Sequence, residues 1–304
     1  MNAALLYNGH CELGEGPMWH PAEQCLYWVD ILGKQLHRFE INLNMHQTFQ
    51  FDAMPGAVVP TNTHELLIAF EDGIATFNAT SNKIDYLLLM HENNTELRCN
   101  DGKCDQLGNL WIGTMSKNAL PGAGNLYCLK PDLEFAVKVP GTSISNGLAW
   151  TADSSKMYYI DSLSDTVRCF DFNKKGEISN STVVIEGDFK KMGYLDGMSI
   201  DTEGMLWIAH CNGGCVRRWN PVTGKVIATI DLPVPKVTSC CFGGSDYQTL
   251  FITTAKEHLT AEERKQFPLS GATFFVQTAY QGYQTNQFNL SNNSKTRAQS
   301  TRKL

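Results

Sequence analysis

The sequence predicts an all-β fold, a six-bladed β-propeller built from four-stranded antiparallel blades. A short apolar or aromatic run recurs six times, its copies begin 40, 44, 47, 49 and 44 residues apart, and the segments between them have strand composition. The six runs begin at Leu26, Leu66, Leu110, Met157, Leu206 and Leu250. A repeating unit of this length that holds several strands is typical of a propeller blade.

The fourth unit illustrates how each blade is expected to form. Its first strand contains Gly147–Trp150, a polar turn follows, and the apolar run Met157–Asp161 is the second strand. Thr166–Phe172 and Thr182–Glu186 supply the third and fourth strands. If strands are numbered outward from the axis, the first strand of every blade lines the central channel. The same four-strand pattern is predicted for the other units.

The sixth unit has no clear fourth strand within its own span. We expect the N-terminal segment Leu5–Glu12 to complete that blade, because this removes an open sheet edge and closes the ring. Gln281–Phe288 competes for the same role. One helix is predicted near Thr260–Pro268, where Thr260 and Glu263 fit a capping box. Residues 1–288 are therefore predicted to form a single domain, and residues 289–304 a polar, disordered C-terminal tail.

Composition excludes several classes of partner and compartment. The net charge is -6 and no run rich in lysine or arginine precedes the extreme C-terminus, which argues against nucleic acid and anionic membranes. Neither a signal peptide nor an apolar run of membrane-spanning length is present. The ten cysteines are therefore expected to be reduced thiols of a cytoplasmic protein.

Polar residues recur where the chain enters the first strand of each blade. Four of the six positions carry a carboxylate or carboxamide immediately before glycine: Glu15-Gly16, Asp101-Gly102, Asn146-Gly147 and Asp196-Gly197. Such dipeptides are common in hairpin turns, but each unit already has its hairpin turn at the opposite mouth. The oxygens should therefore converge on the axis. A ring of oxygen ligands suits a hard divalent cation such as Ca²⁺, Mg²⁺ or Mn²⁺.

Other catalytic motifs do not occur in this sequence. There is no Gly-x-Ser-x-Gly elbow, no phosphate-binding Gly-x-x-x-x-Gly-Lys-Ser/Thr loop and no His-Glu-x-x-His. The eight histidines are scattered, and His210 is interpreted as an ordinary loop residue although it could reach the channel mouth. Lys103 is interpreted as a packing or surface residue rather than a catalytic amine.

Several local motifs resemble one family in order along the chain. The sequence around Leu13–Pro17, Arg98–Lys103, Gly113–Met115, Ser145–Leu148 and Asp196–Met198 is similar to that of the regucalcin (senescence marker protein), gluconolactonase and luciferin-regenerating enzyme family. The likeness runs from about Leu13 to Ala255. That family forms a six-bladed propeller with one catalytic divalent metal in its channel, and its enzymes hydrolyse sugar lactones.

The resemblance assigns roles to particular residues. It implies that Glu15, Asn146 and Asp196 are metal ligands, that Asp196 is also the catalytic base, and that Arg98 and Asn100 bind substrate oxygens. Family members accept Ca²⁺, Zn²⁺, Mg²⁺ or Mn²⁺, so the metal is not identified.

One expected substrate contact departs from the family pattern. A glutamate that contacts substrate in regucalcin is replaced here by Asn118, an amide that can donate as well as accept hydrogen bonds. Asn118 is retained as a substrate-binding candidate, and the preferred sugar is expected to differ.

The function expected from these residues is that of a metal-dependent sugar lactonase. A divalent cation would polarise the lactone carbonyl and a water molecule, with Asp196 as base. The partner of the protein would be its substrate, a small sugar lactone such as gluconolactone. The sequence does not determine the oligomeric state. The alternatives are a non-enzymatic calcium-binding regulatory protein of regucalcin type, a related phosphotriesterase, and a propeller used only as an interaction platform.

Overall fold

A computed structural model describes residues 3–90 and 94–291. It contains six four-stranded antiparallel sheets, each with the predicted order of strands from the axis outward. The first strand of each sheet contacts the first strands of both neighbouring sheets, so the six sheets form a closed ring. The prediction of a six-bladed β-propeller is confirmed.

Four concentric layers of strands make up the ring. The first strands, which line the channel, are β2 (Gly14–His20), β6 (Pro55–Pro60), β10 (Leu97–Cys104), β14 (Ser145–Trp150), β18 (Tyr194–Ile200) and β22 (Val237–Gly243). The second strands are β3 (Cys25–Asp30), β7 (Leu66–Phe70), β11 (Leu110–Ser116), β15 (Lys156–Asp161), β19 (Leu206–Cys211) and β23 (Thr249–Thr254). The third strands are β4 (Gln35–Glu40), β8 (Gly73–Asn78), β12 (Gly124–Leu129), β16 (Thr166–Phe172), β20 (Cys215–Asn220) and β24 (Thr273–Gln277). The outer strands are β5 (Met45–Gln50), β9 (Lys83–Leu89), β13 (Phe135–Thr142), β17 (Ile178–Glu186), β21 (Lys225–Asp231) and β1 (Ala4–Tyr7).

The recurrent apolar runs are the second strands, and they are buried on both faces. Side chains of a strand alternate between the two faces of its sheet, and both faces of a blade pack against neighbouring blades. This is why the runs are continuously apolar rather than alternating. Trp111 and Trp207 occupy equivalent positions in the third and fifth blades, and both are fully buried, as is Trp28 in the first blade. The core is therefore a set of apolar layers between adjacent blades.

Every first strand contains an irregularity near its beginning. In each blade the pairing between the first and second strands shifts register there, as between Glu15 and Met18 or between Leu195 and Met198. The same shift occurs in the other four blades. A β-bulge re-aims side chains away from the regular alternation. The bulges are placed at the channel mouth where the first strands begin, here called the upper mouth.

The opposite, lower mouth carries the turns between first and second strands. Two of these turns are organised by an aspartate whose carboxylate accepts backbone N–H groups and a tryptophan indole. Asp201 accepts from the backbone of Glu203 and Met205 and from Trp207 Nε1, at 3.0, 3.0 and 2.9 Å. Asp105 makes the corresponding bond to Trp111 Nε1 at 2.8 Å. These buried carboxylates are structural.

The N-terminal strand closes the ring as predicted. β1 pairs antiparallel with β24 and becomes the outer strand of the sixth blade. The strand ends at Tyr7 rather than at Glu12, and His10 has a left-handed backbone with φ of 50°. The backbone N–H of Cys11 then donates to Gly271 O at 2.9 Å, which attaches the connection to the sixth blade.

The competing role for Gln281–Phe288 is wrong. This segment forms a strap across the lower mouth, because its backbone bonds to the turns of several blades and not to one sheet edge. Gln281 O accepts from Thr202 N at 2.8 Å, and Phe288 N donates to Pro60 O at 2.8 Å. Thr285 Oγ1 donates to Trp19 O at 2.7 Å. The strap thus connects the fifth, second and first blades.

The predicted helix is present as α2 (Ala261–Gln266), and Thr260 and Glu263 form the complete capping box. A second short helix, α1 (Phe189–Met192), was not predicted. Neither α-helix in residues 3–90 and 94–291 has the length and hydropathy that crossing a membrane requires. The ten cysteines are all free thiols. The predicted tail falls mostly outside the described residues, although Leu290 at its start is buried between the second and third blades.

Candidate functional site

Bulged first strands bring oxygen-bearing side chains from four blades to the upper mouth. Glu15 comes from the first blade, Asn100 from the third, Asn146 from the fourth and Asp196 from the fifth. All four are buried, with exposed fractions between 4% and 8%. Buried polar side chains require partners, because an unpaired one costs about 1–3 kcal/mol.

A chain of hydrogen bonds links Arg98 to the neighbouring blades. Arg98 Nη1 donates to Asn100 Oδ1 at 2.7 Å, and Asn100 Nδ2 donates to Asn146 Oδ1 at 2.9 Å. Asn146 Nδ2 in turn donates to Ser162 Oγ at 2.7 Å, and Ser162 Oγ donates to Leu195 O at 2.6 Å. Each amide therefore has a fixed orientation, and the oxygen of Asn146 is held toward the third blade. Arg98, Asn100 and Asn146 form one connected network.

The glycines that follow the polar residues allow the first strands to approach one another closely. A Cβ atom on Gly147 would lie 2.8 Å from Asp196 O, and one on Gly197 would lie 2.5 Å from Ser239 Cβ. Neither distance is sterically possible without a backbone shift. The glycine pattern is thus explained mainly by packing around the axis, and among the glycines beside site residues Gly16 has a left-handed φ of 53°.

Negative charge is concentrated at the upper mouth. Burial and the charge of Asp101 raise the pKa of Glu15 to about 8. Burial, followed by the charges of Glu15 and Asp101, raises the pKa of Asp196 well above its ordinary value. Burial lowers the pKa of the Arg98 guanidinium. Several carboxylates thus share a desolvated site with one arginine, an arrangement that a bound cation would relieve.

Glu257 extends this cluster from a distant part of the chain. Its backbone N–H donates to Glu12 O at 2.9 Å, and Leu13 forms a β-bridge with Ala255. The loop is fixed further by Arg264 Nη2, which donates to Glu12 Oε1 at 2.8 Å. The charge of Glu257 acts on Glu15, Arg98 and Asp196. No local motif marks Glu257, since it reaches the site only through contacts with residues over 240 positions away.

Asn118 and His210 make their hydrogen bonds outside the Arg98 network. The side chain of Asn118 donates to Glu96 Oε2 at 3.3 Å, so its hydrogen bonds lead to the surface rather than to the Arg98 network. His210 is fully buried in β19 and is not a loop residue. It accepts from Trp219 Nε1 at 3.2 Å and its Nδ1 contacts Met192 O at 3.1 Å, so it stabilises the fifth blade.

A cavity of about 370 Å³ lies in the channel between the upper mouth and the strap. Asp101 and Lys103 contribute to its walls, and Tyr283–Asn286 of the strap contribute to its lower end. Lys103 Nζ crosses from the third blade to donate to Met198 O at 2.6 Å. This confirms a packing role for Lys103, because its ammonium joins two blades that are not adjacent.

The donor set at the upper mouth fits a hard divalent cation. The Oδ1 atom of Asp196 is buried and has no hydrogen-bond partner among the described residues. Asn146 Oδ1 accepts one hydrogen bond and retains a second lone pair. Carboxylate and amide oxygens without thiols or imidazoles are the ligands that Ca²⁺, Mg²⁺ and Mn²⁺ prefer.

Comparison with known proteins identifies relatives over nearly the whole chain. Residues 13–256 match the family described as SMP-30/Gluconolactonase/LRE-like region. The Bacillus subtilis (strain 168) protein YvrE, provisionally named a sugar lactone lactonase, is 35% identical over 285 residues, which cover 93% of this chain and 97% of that protein. Regucalcin of Danio rerio is 38% identical over 268 residues, covering 87% and 90% of the two chains.

A solved structure from the same group of relatives has the same fold as this chain. The structure of a calcium-binding protein, regucalcin, from Agrobacterium tumefaciens str. C58 superimposes with a TM-score of 0.91 at 26% identity, covering 95% of this chain and 99% of that chain. The family match over residues 13–256 includes Glu15, Arg98, Asn100, Asn146 and Asp196. The chain belongs to the SMP-30/gluconolactonase/LRE-like family.

Proposed function

We propose that this protein is a metal-dependent hydrolase that opens sugar lactones. The observation that supports it most is the unpartnered, buried Oδ1 of Asp196 inside a cluster of carboxylates. A structural carboxylate such as Asp201 has its oxygens fully hydrogen-bonded, whereas a ligand must keep a lone pair for its ion. YvrE, whose name describes a sugar lactone lactonase, supports the same reaction class.

Glu15, Asn146 and Asp196 are the residues proposed to hold the cation. Together they offer two carboxylates and one amide oxygen, which leaves positions for substrate and water. When bound there, the cation supplies Lewis acidity, because it polarises a carbonyl oxygen and lowers the pKa of water.

Asp196 is the proposed base. Its carboxylate accepts a proton from the attacking water as the new C–O bond forms at the lactone carbonyl carbon. The proton is delivered to the ring oxygen when the ring C–O bond breaks, and the product is an open-chain hydroxy acid. General acid–base assistance of this kind contributes about 10²–10⁴-fold to the rate.

Arg98 and Asn100 are proposed to orient the substrate. Arg98 Nη1 is committed to Cys99 O and Asn100 Oδ1, at 3.0 and 2.7 Å, and these bonds fix the plane of the guanidinium. The remaining N–H groups of the fork can then donate to hydroxyl oxygens of a polyhydroxylated lactone. Glu257, whose charge acts on Arg98, can accept from such hydroxyls.

Lactone opening by cation-reloaded protein is the direct test. Protein stripped with EDTA is reloaded with Ca²⁺, Mg²⁺, Mn²⁺ or Zn²⁺ and assayed by acid release on gluconolactone, galactonolactone, arabinonolactone and xylonolactone. We expect turnover that depends on the cation and falls at least about 10³-fold in Asp196→Ala. The control is Asp188→Ala, which removes a partly exposed aspartate paired with Lys191.

Each rival function predicts a different outcome. Tight cation binding without opening of any lactone would favour the calcium-binding regulatory role, in keeping with the description of the Agrobacterium relative as a calcium-binding protein. Cleavage of a phosphotriester in preference to all four lactones would favour the phosphotriesterase. Near-normal turnover in Asp196→Ala would remove that residue from the mechanism.

A further inference from the structure

A cluster of potential soft-metal ligands lies in the first blade, away from the channel mouth. Cys11, Asp30 and His37 are all buried, and one ligand atom from each lies within 4.8 Å of the others. Cys11 Sγ and His37 Nε2 are 3.6 Å apart. Zinc bound to sulfur at about 2.3 Å and to nitrogen at about 2.0–2.1 Å with a tetrahedral angle would place those two atoms about 3.6 Å apart.

His37 is presented with the correct nitrogen toward the cysteine. His37 Nδ1 lies 3.0 Å from His46 Nε2, and its ring is stacked on Trp28 with centroids 4.9 Å apart. A hydrogen bond from Nδ1 to His46 leaves Nε2 as the unprotonated ligand atom. Burial lowers the pKa of His37 to about 3, so the ring is neutral at physiological pH.

The indole of Trp28 lies beside the sulfur of Cys11. Its Nε1 is buried and lacks a hydrogen-bond partner among the described residues. Burial and the charge of Asp30 raise the pKa of the Cys11 thiol to about 12, and the nearby Trp28 indole opposes that shift. A thiolate accepts hydrogen bonds much better than a thiol does, so metal binding by Cys11 would give this donor a partner.

The fourth blade provides an internal comparison for Asp30. Asp30 accepts from the backbone of Glu12 and Leu13 at 2.8 and 2.9 Å, and Asp161 makes the same pair of bonds to Ser143 and Ile144. This carboxylate therefore holds the chain before the first strand in both blades. By the same register, Thr142 and Arg168 stand where the first blade has Cys11 and His37. The first blade thus carries a thiol and an imidazole beside a carboxylate that the fourth blade has in the same position.

The charges of these three groups also balance. Asp30 Oδ2 accepts one backbone N–H, so that it retains a lone pair for a metal ion. Zn²⁺ with one thiolate, one carboxylate and one neutral imidazole has no net charge, which a buried site requires. A second carboxylate oxygen or a water molecule can complete a tetrahedral ion.

We propose that Cys11, Asp30 and His37 form a structural zinc site, distinct from the channel cation, with His46 orienting His37. The site fastens the segment that follows β1 to the sheet of the first blade. It therefore lies at the junction where the ring closes. Thiolate and imidazole ligands select zinc over calcium, so calcium would not occupy this site.

Cobalt substitution of the full-length protein tests this proposal. Protein carrying Asp196→Asn, which weakens the channel site, is produced in minimal medium with Co²⁺ and its near-ultraviolet absorption is measured. We expect a thiolate-to-cobalt charge-transfer band and one equivalent of cobalt that EDTA does not remove. Both should be lost in Cys11→Ser and retained in Cys25→Ser, a control in the same blade whose sulfur donates to Glu23 O at 3.2 Å.

Two results would overturn the proposal. One is the absence of any charge-transfer band from the cobalt-grown protein, and the other is a band of equal intensity in Cys11→Ser. If Cys11→Ser does not fold, the zinc K-edge absorption of zinc-loaded protein without that substitution decides the question. A sulfur neighbour at about 2.3 Å from zinc supports the site, and an oxygen- and nitrogen-only shell contradicts it.

Discussion

Two buried aspartates five residues apart in the fifth blade should respond to the same substitution in opposite ways. Asp196 has one oxygen without a partner and lies among like charges. Asp201 accepts from two backbone N–H groups, from Trp207 Nε1 and from Arg218 Nε, the last at 2.7 Å. If Asp196 is a cation ligand and Asp201 is structural, Asp→Asn should stabilise the metal-free protein at the first position and destabilise it at the second.

The magnitudes follow from those contacts. In Asp196→Asn an isosteric amide removes the repulsion from Glu15 and Asp101, for a gain of about 0.5–2 kcal/mol in the free energy of unfolding. In Asp201→Asn the buried Arg218, whose side chain is 5% exposed, loses its buried counter-charge. Breaking a buried ion pair from one side costs about 3–5 kcal/mol. The two changes in the free energy of unfolding have opposite signs, and the difference between them exceeds the error of an unfolding experiment.

Urea unfolding in EDTA and in excess cation measures both effects. At a cation concentration of 100 times Kd the unsubstituted protein gains about 2.7 kcal/mol, whereas Asp196→Asn should gain little. The order of stability of these two proteins therefore reverses on adding the cation. A metal-free Asp196→Asn protein that is less stable than the unsubstituted one would refute the assignment of Asp196 as a strained ligand. So would an equal gain from the cation in both proteins.

Three further predictions concern other parts of the structure. Burial lowers the pKa of His210 to about 3, so between pH 6.5 and pH 3 the unfolded chain binds one more proton than the folded one, and stability falls as the pH falls. In His210→Gln the free energy of unfolding, measured with urea, should fall less steeply with pH, by about 1.4 kcal/mol per pH unit. An unchanged pH dependence would contradict this. Phe288→Ala in the strap should lower the free energy of unfolding by about 3–5 kcal/mol, while Tyr283→Ala, whose side chain is 38% exposed, should change it by under about 1 kcal/mol. A loss from Phe288→Ala as small as that from Tyr283→Ala would show that the strap does not stabilise the fold. Asn118→Glu places a second carboxylate beside Glu96, and should change KM ratios across the four lactones more than kcat; identical ratios would exclude Asn118 from the site.

The repeated elements could be predicted from the sequence because their cause is local. Runs such as Leu26–Val29 and Leu206–Ala209 are apolar throughout, since both faces of a second strand pack against neighbouring blades. Their spacing gives the number of blades. Ring closure by β1 followed from a missing outer strand in the sixth unit. The helix at Ala261–Gln266 was marked by its capping box.

The strap and Glu257 could not be predicted because their contacts are remote in sequence. The strap is held mainly by backbone hydrogen bonds to turns of other blades, and backbone groups leave no mark in composition. Sequence alone makes the segment a competing candidate for an outer strand, because the sixth unit has no clear fourth strand within its own span. Glu257 is one carboxylate in a loop, placed at the upper mouth by the backbone oxygen of Glu12.

The β-bulges explain why the polar residues were identifiable while their geometry was not. A residue next to glycine at the same position in successive units is visible in the sequence, as with Asn146-Gly147 and Asp196-Gly197. The register shift that aims these side chains is a property of strand pairing. Equivalent shifts occur in all six blades, including those without a candidate ligand. The bulge is therefore a feature of the fold, and chemistry depends on which residue occupies it.

That distinction accounts for the asymmetry of the upper mouth. The second and sixth blades have Gly56 and Thr238 at the bulge, and the hydroxyl of Thr238 is already bonded to Gly14 O. The proposed ligands from the first, fourth and fifth blades would thus bind a cation from part of the ring, which leaves its other positions to substrate and water. The loop carrying Glu257 extends from the sixth blade over this same side. A sixfold scaffold with ligands in every blade would enclose its ion completely, whereas this incomplete set is what an ion that must also bind a substrate needs.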